Sequence, residues 1–197
     1  MQRLPMKIIT LTGTLTIVAL CMIPLQQAIA QIANGTFLTY KDPQFGYSID
    51  YPSGWVPFKF YNDPKTTLLF PSNDRSIVCI VTVNNTLAPT TTLSDMTKQF
   101  LPNNGSLNYF EQHKAHVLAY NTTGYYILGN PAIRYEYTAK VPFPITGEIH
   151  ETVLGFIAII DGKGYSLGFS APASKFSNYT SIFTQMLYSF KPTTNAT

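Results

Sequence analysis

Residues 76–84 read Ser-Ile-Val-Cys-Ile-Val-Thr-Val-Asn, and they constrain the fold more than any other stretch. Ile77, Cys79, Val81 and Val83 recur at period two, while Val78 and Ile80 fill the alternate positions. β-Branched residues at this spacing form a strand. A strand apolar on both faces must be covered on both faces. Residues 148–160 repeat the demand, being apolar on both faces beyond Thr152. Two such strands exclude a sheet with one side in water.

The remaining elements follow from the same reading. Tyr47, Ile49 and Tyr51 alternate with Ser48 and Asp50, a one-sided strand stopped by Pro52-Ser53-Gly54. An extended aromatic run follows over 55–61, then a short strand over 68–70. Leu93, Met96 and Phe100 share one side of a helix predicted over 93–101, which Thr92 or Ser94 can cap. Residues 107–120 fit helix and strand equally. Gly129-Asn130-Pro131 is a turn, and Ile133, Tyr135 and Tyr137 mark another one-sided strand. Two prolines make 141–146 a loop. Asp161-Gly162-Lys163-Gly164 is a tight hairpin, and Tyr165, Leu167, Phe169 and Ala171 line the strand that returns from it. Phe176, Tyr179, Ile182, Phe183, Met186, Leu187 and Phe190 repeat at helical steps, opened by Pro172 and Ser174. Short turns between strands imply an antiparallel sheet. With one helix mid-chain and one at the end, each free to cover a face, the fold class is α+β, an α/β/α sandwich around a central antiparallel sheet.

The N-terminus carries a secretory pattern. Arg3 and Lys7 precede an apolar run over 8–24, and Ala28-Ile29-Ala30 offers small residues for cleavage after Ala30. The domain plan is therefore a signal peptide over 1–30, a domain over 31–191 and a flexible tail over 192–197. The alternative is that 8–24 stays as an uncleaved anchor, although the run is short and interrupted by Thr and Gly. Cys21 follows a bulky Leu20, which suits an apolar residue of the signal better than a lipid-attachment cysteine. Loss of Arg3 and Lys7 leaves 11 basic against 10 acidic side chains, a net +1. That balance offers no basic stripe for nucleic acid. Cys79 is then the sole cysteine, so the mature chain has no intrachain disulfide.

The run Tyr40-Lys41-Asp42-Pro43-Gln44-Phe45-Gly46-Tyr47-Ser48-Ile49-Asp50-Tyr51-Pro52-Ser53-Gly54-Trp55 resembles the opening of PsbP-like domains, where an aromatic-Gly-aromatic strand enters a Tyr-Pro-x-x-Trp turn. Gly129-Asn130-Pro131-Ala132 before a Tyr-rich strand is similar to the same family, as is a closing hairpin followed by a helix ending in Ser189-Phe190-Lys191. The resemblance covers most of 38–191. It is closest to the secreted PsbP-related proteins of archaea and bacteria, and it implies a central antiparallel sheet with helices on both sides. The plant photosystem subunit docks through an N-terminal extension, whereas the segment between Ala30 and Tyr40 here is short. Within the motif, Pro52 ends the strand, Gly54 is expected to take an unusual backbone angle, and Trp55 is expected to pack on the core.

Chemistry-bearing residues are sparse. His113 and His116 in His-Lys-Ala-His would share a face only on a helix, and no third ligand stands at a telling spacing, so they are weak metal candidates. Glu148 and His150 share a strand face with Glu151 opposite, an acid–base pair only if a pocket holds them. Gly168-Phe169-Ser170-Ala171-Pro172 lacks the closing glycine of a nucleophile elbow. No cofactor motif is present. Six N-x-S/T triplets, at Asn34, Asn84, Asn104, Asn121, Asn178 and Asn195, are candidate glycosylation sites in an exported chain.

The expected function is an exported, non-catalytic accessory or binding module, secreted or at the cell surface, that docks on a protein partner at the membrane or cell envelope. The alternative is an extracytoplasmic carrier of a small ligand or metal. Intact-mass measurement on the protein from its own source is expected to show a chain beginning at Gln31, whereas retention of Met1 would identify 8–24 as an anchor.

Overall fold

The structure, a computed structural model, describes residues 35–100, 116–143 and 147–193. Ten strands and two helices appear among them, all within the unit Thr36–Thr197. In chain order they are β1 (Phe37–Asp42), β2 (Tyr47–Pro52), β3 (Trp55–Phe60), β4 (Asp63–Pro71), β5 (Val78–Asn84), α1 (Leu93–Phe100), β6 (His116–Ile127), β7 (Asn130–Phe143), β8 (Gly147–Ile160), β9 (Lys163–Pro172), α2 (Phe176–Ser189) and β10 (Lys191–Pro192). A seven-stranded sheet runs β3-β4-β5-β9-β8-β7-β6, and a three-stranded sheet runs β1-β2-β10. Every described pairing is antiparallel.

The double-faced strands β5 and β8 lie on either side of β9, in the middle of the large sheet. On one face Cys79, Val81, Phe156, Ala158, Leu167 and Phe169 join a core closed by Ile182, Phe183 and Met186 of α2. The small sheet completes that cover with Tyr47 and Ile49. On the other face Val153, Ile157 and Tyr135 meet Met96 of α1. The α/β/α arrangement is thus present, with the small sheet added beside α2.

Local chemistry sets the details. Thr92 caps α1: its backbone N–H and its hydroxyl donate to Asp95 Oδ2 at 3.0 and 2.6 Å, and Asp95 N–H donates back to Thr92 Oγ1 at 3.1 Å. This reciprocal pair satisfies the open end of a short helix. Met96 lies over Gly164, so a Cβ there would come 2.7 Å from its sulfur. Tyr135 lies flat over Gly155 in the same manner, and a Cβ at Gly155 would run into its ring.

Some elements differ from expectation. Residues 116–127 are a strand, which decides the ambiguous stretch for the residues described. Strand β7 continues to Phe143 through residues expected to loop, because it pairs with β8 out to Phe143–Gly147. Strand β1 escaped the sequence reading, its Phe37 and Tyr40 being only partly buried. Gly54 has no left-handed backbone angle; within the motif that role falls to Gly46, at φ 68°. Pro192 pairs with Tyr47, and Thr193 N–H donates to Gly46 O at 2.8 Å, so order continues past Lys191.

Replacing Gly155 by Ala is expected to displace Tyr135 and cost about 1–3 kcal/mol, read as a lower denaturation midpoint.

Candidate interaction surface

Strand β3 forms one edge of the large sheet and divides its residues between two environments. Trp55 points to α2, its ring centroid 6.5 Å from both Tyr179 and Phe183. Lys59 shares that face and reaches Asp42 at 2.6 Å. Asp42 is only 2% exposed, and its other oxygen accepts the backbone N–H groups of Gln44 and Phe45 at 3.1 and 3.0 Å. The lysine also lies over the Phe45 ring, 4.7 Å from its centroid. This buried ion pair pins the β1–β2 turn to the large sheet, which is a structural role.

The opposite face of β3 holds Val56, Phe58 and Phe60, which are 42, 46 and 45% exposed. Phe58 and Phe60 pack edge to face with centroids 5.2 Å apart. The ladder places Phe58 beside Leu68, and Leu68 beside Ile80. Phe70 continues the strip opposite Val56, with Arg75 over its ring at 5.7 Å. Helix α1 is on this side of the sheet but covers β7 and β8. Its eight residues span about 12 Å, at 1.5 Å per residue. The seven-stranded sheet is roughly 29 Å wide at 4.8 Å per spacing. Among the described residues one short helix therefore leaves the β3–β5 side bare. Contiguous exposed apolar area of this kind marks an interaction surface. Pro57 has no N–H to offer along the edge, so the strip presents its face and resists edge pairing.

The sequence-level candidates fall elsewhere. Cys79 is fully buried in β5, and desolvation pushes its thiol far above the ordinary range, so it serves as a core residue. Glu148 lies 3.5 Å from Lys140 Nζ at the exposed start of β8, and the ladder sets His150 against Lys140. The carboxylate thus faces a lysine, while Glu151 accepts a hydrogen bond from Ser170 Oγ at 2.6 Å. His113 lies outside the described residues; His116 opens β6, paired with Thr138. Among the described residues no three His, Cys, Asp or Glu side chains gather as a metal site. No helix among them is long and apolar enough to cross a membrane. Asn121 and Asn178 are exposed. Asn84 Oδ1 instead accepts from Thr86 N–H and Oγ1, at 3.1 and 3.0 Å. Asn34, Asn104 and Asn195 lie outside the described residues. The strip itself was legible only as an aromatic-rich run; the missing signal was Lys59, which turns inward and so sends Val56, Phe58 and Phe60 outward.

Comparison with known proteins agrees with this architecture. The PsbP family model matches residues 35–192. Among solved structures, cyanobacterial PsbP (CyanoP) of Synechocystis superposes with a TM-score of 0.61 at 18% identity, covering 80% of this chain and 93% of that one. The Ran-binding protein Mog1p of Saccharomyces cerevisiae superposes with a TM-score of 0.52 at 10% identity, covering 81% of this chain and 96% of that one. None of the curated proteins matches in sequence.

Electrostatics contribute at one further point, just before α2. Partial desolvation raises the affinity of Asp74 for a proton. Hydrogen bonds from Lys175 Nζ at 2.7 Å and from the Ser76 N–H and hydroxyl outweigh it, holding the carboxyl below its ordinary 3.8. A depressed folded value stabilises the fold fully above the ordinary carboxylate range, and that contribution disappears as pH falls through the folded value. Asp74→Asn is expected to lower stability near neutrality and to flatten the acid loss as pH falls below the ordinary 3.8, followed by thermal unfolding across pH.

Proposed function

Because this chain belongs to the PsbP family, we propose that it is an exported, non-catalytic accessory module that docks on a protein at the membrane or cell envelope. The family assignment rests on the match over residues 35–192. The observation that carries the docking reading is the exposed apolar strip of Val56, Phe58 and Phe60, on a sheet whose other side is closed. A monomer in water gains nothing from three large apolar side chains left nearly half exposed side by side, whereas a partner that covers them gains roughly 25 cal/mol per Å² removed from water.

The signal pattern over 1–30 supports export, and the sequence resemblance supports the secreted archaeal and bacterial branch. In yeast the same fold carries a Ran-binding protein, so this architecture is compatible with work done through protein contacts. The N-x-S/T sites at Asn121 and Asn178 lie away from the strip, on β6 and α2, where a glycan would leave docking free.

A photo-crosslinking amino acid in place of Phe58, in the native envelope, is expected to trap one reproducible protein partner. The double replacement Val56→Ser with Phe60→Ser should then abolish the crosslink while leaving unfolding within about 1 kcal/mol of wild type. A Phe58 probe that traps nothing while a probe at Tyr188 traps a partner would move the interface to α2. Silence at every surface probe would remove the docking reading altogether.

A further inference from the structure

Two hairpins of the large sheet close through a residue in left-handed backbone followed by glycine. Between β8 and β9 these are Asp161 (φ 50°) and Gly162 (φ 72°). Between β6 and β7 they are Leu128 (φ 51°) and Gly129 (φ 78°). Asp, Asn and Gly enter this conformation readily, and an aliphatic side chain does so only against steric resistance. The chain therefore uses the favoured residue in one turn and a disfavoured one in the other. The core offers no reason for the leucine, which is 54% exposed. Beside it Tyr126 is 66% exposed, and Tyr125 is also exposed.

The surroundings of this tip share one property. No charged residue stands between Asn121 and Ile133. Ile127 pairs with Asn130 to close the ladder, and the Asn130 side-chain amide donates to Leu128 O at 3.2 Å. The outermost carbonyl is thus satisfied within the turn, as a backbone entering a water-poor medium requires. Arg134, the next charge, is bound to Glu136 at 2.7 Å, and its guanidinium lies over the Tyr125 ring at 5.9 Å. Its charge is balanced in place, and the Tyr125 ring packs edge-on against Phe156.

We propose that the β6–β7 tip is a lipid-interface anchor, which seats Tyr126 and Leu128 at the boundary between headgroups and acyl chains of a bilayer. Tyrosine favours that boundary because its ring is apolar and its hydroxyl remains wet. A protein partner fits the tip poorly. Three side chains on a two-residue turn supply far less than the roughly 800 Å² per partner of a stable protein interface. The ladder also brings the β3–β4 turn, with its almost fully exposed Tyr61, to the same end of the sheet. The two tips stand about 24 Å apart, five strand spacings. The β8–β9 hairpin, with exposed Asp161, stands at this same end between them, so the lipid contact is confined to the β6–β7 tip. The inference rests on the extracytoplasmic reading for access to a membrane, and it adds a contact distinct from the β3–β5 strip.

The test uses the protein as purified from its source, with Tyr126→Trp as a reporter read against wild type, whose Trp55 is buried. Phosphatidylcholine vesicles are expected to shift the emission to the blue, and brominated acyl chains to quench it. Both effects should persist in high salt and without phosphatidylglycerol, because the tip is uncharged. Leu128→Asn in the reporter background should raise Tm by about 2–4 °C, since Asn suits the backbone, yet weaken vesicle binding by about fivefold. This opposite movement of stability and binding separates the anchor from a folding defect. Emission unchanged at saturating lipid, a shift confined to anionic vesicles at low salt, or a shift appearing only when envelope proteins are added would each overturn the proposal. So would unaltered binding of the Leu128→Asn variant. None of these outcomes touches the Phe58 crosslink, so the accessory reading stands or falls separately.

Discussion

Phe183 is the point at which the parts of the molecule meet. Its ring lies 5.0 Å from Phe169 on β9 and 6.5 Å from Trp55 on β3, and within its own helix it meets Phe176 and Tyr179 at 5.8 and 6.1 Å. Two turns on, Phe190 does the same for the second sheet, 5.8 Å from Tyr47 and 5.3 Å from Tyr165. One helix and the residue that ends it therefore hold two sheets together through ring contacts. Such contacts add to apolar burial and orient what they join. Charged residues make up only 12% of the chain, and the one cysteine among the described residues is free, so the aromatic seat has little competition as the source of cohesion. The Asp42–Lys59 pair supplies the polar pin. Removing either partner would strand the other, at greatest cost for the nearly inaccessible carboxylate.

The asymmetry of the domain follows from that seat. On the α2 side a fourteen-residue helix and three small-sheet strands close the layer. On the other side stands an eight-residue helix whose Met96 is held by the open space over Gly164. The capping box at Thr92 fixes where that helix begins. The bare strip at Val56, Phe58 and Phe60 is what a short helix leaves behind. The buried polar groups serve structure.

Much of the architecture was legible along the chain. The alternation at 76–84 and 148–160 demanded a sheet covered on both sides, and the helical spacing from Phe176 to Phe190 placed the closing helix. Asp161-Gly162 announced its hairpin, because few residues tolerate left-handed backbone and those that do are recognisable. Leu128 shows where this reasoning stops. Its turn has the same geometry, but the residue does not advertise it, and only the pairing of Ile127 with Asn130 reveals the strain. Strand β1 and the extension of β7 escaped for a related reason. Both are held by ladder bonds to the adjacent strands, β2 and β8, and neither carries a complete apolar period of its own.

The amino-acid sequence by itself determined the class of the fold, the places of the two described helices and the family to which the domain belongs. Periodicity, caps and turn residues act over a few neighbouring positions and can be read in order. The tertiary structure alone decided which way β3 faces, because Trp55 and Lys59 must turn inward to reach Phe183 and Asp42, and the alternating residues have no choice but to face out. It also decided that turns distant in sequence stand at one end of one sheet. That arrangement comes from strand order, which is settled by competition among long-range pairings and leaves no mark at any single position.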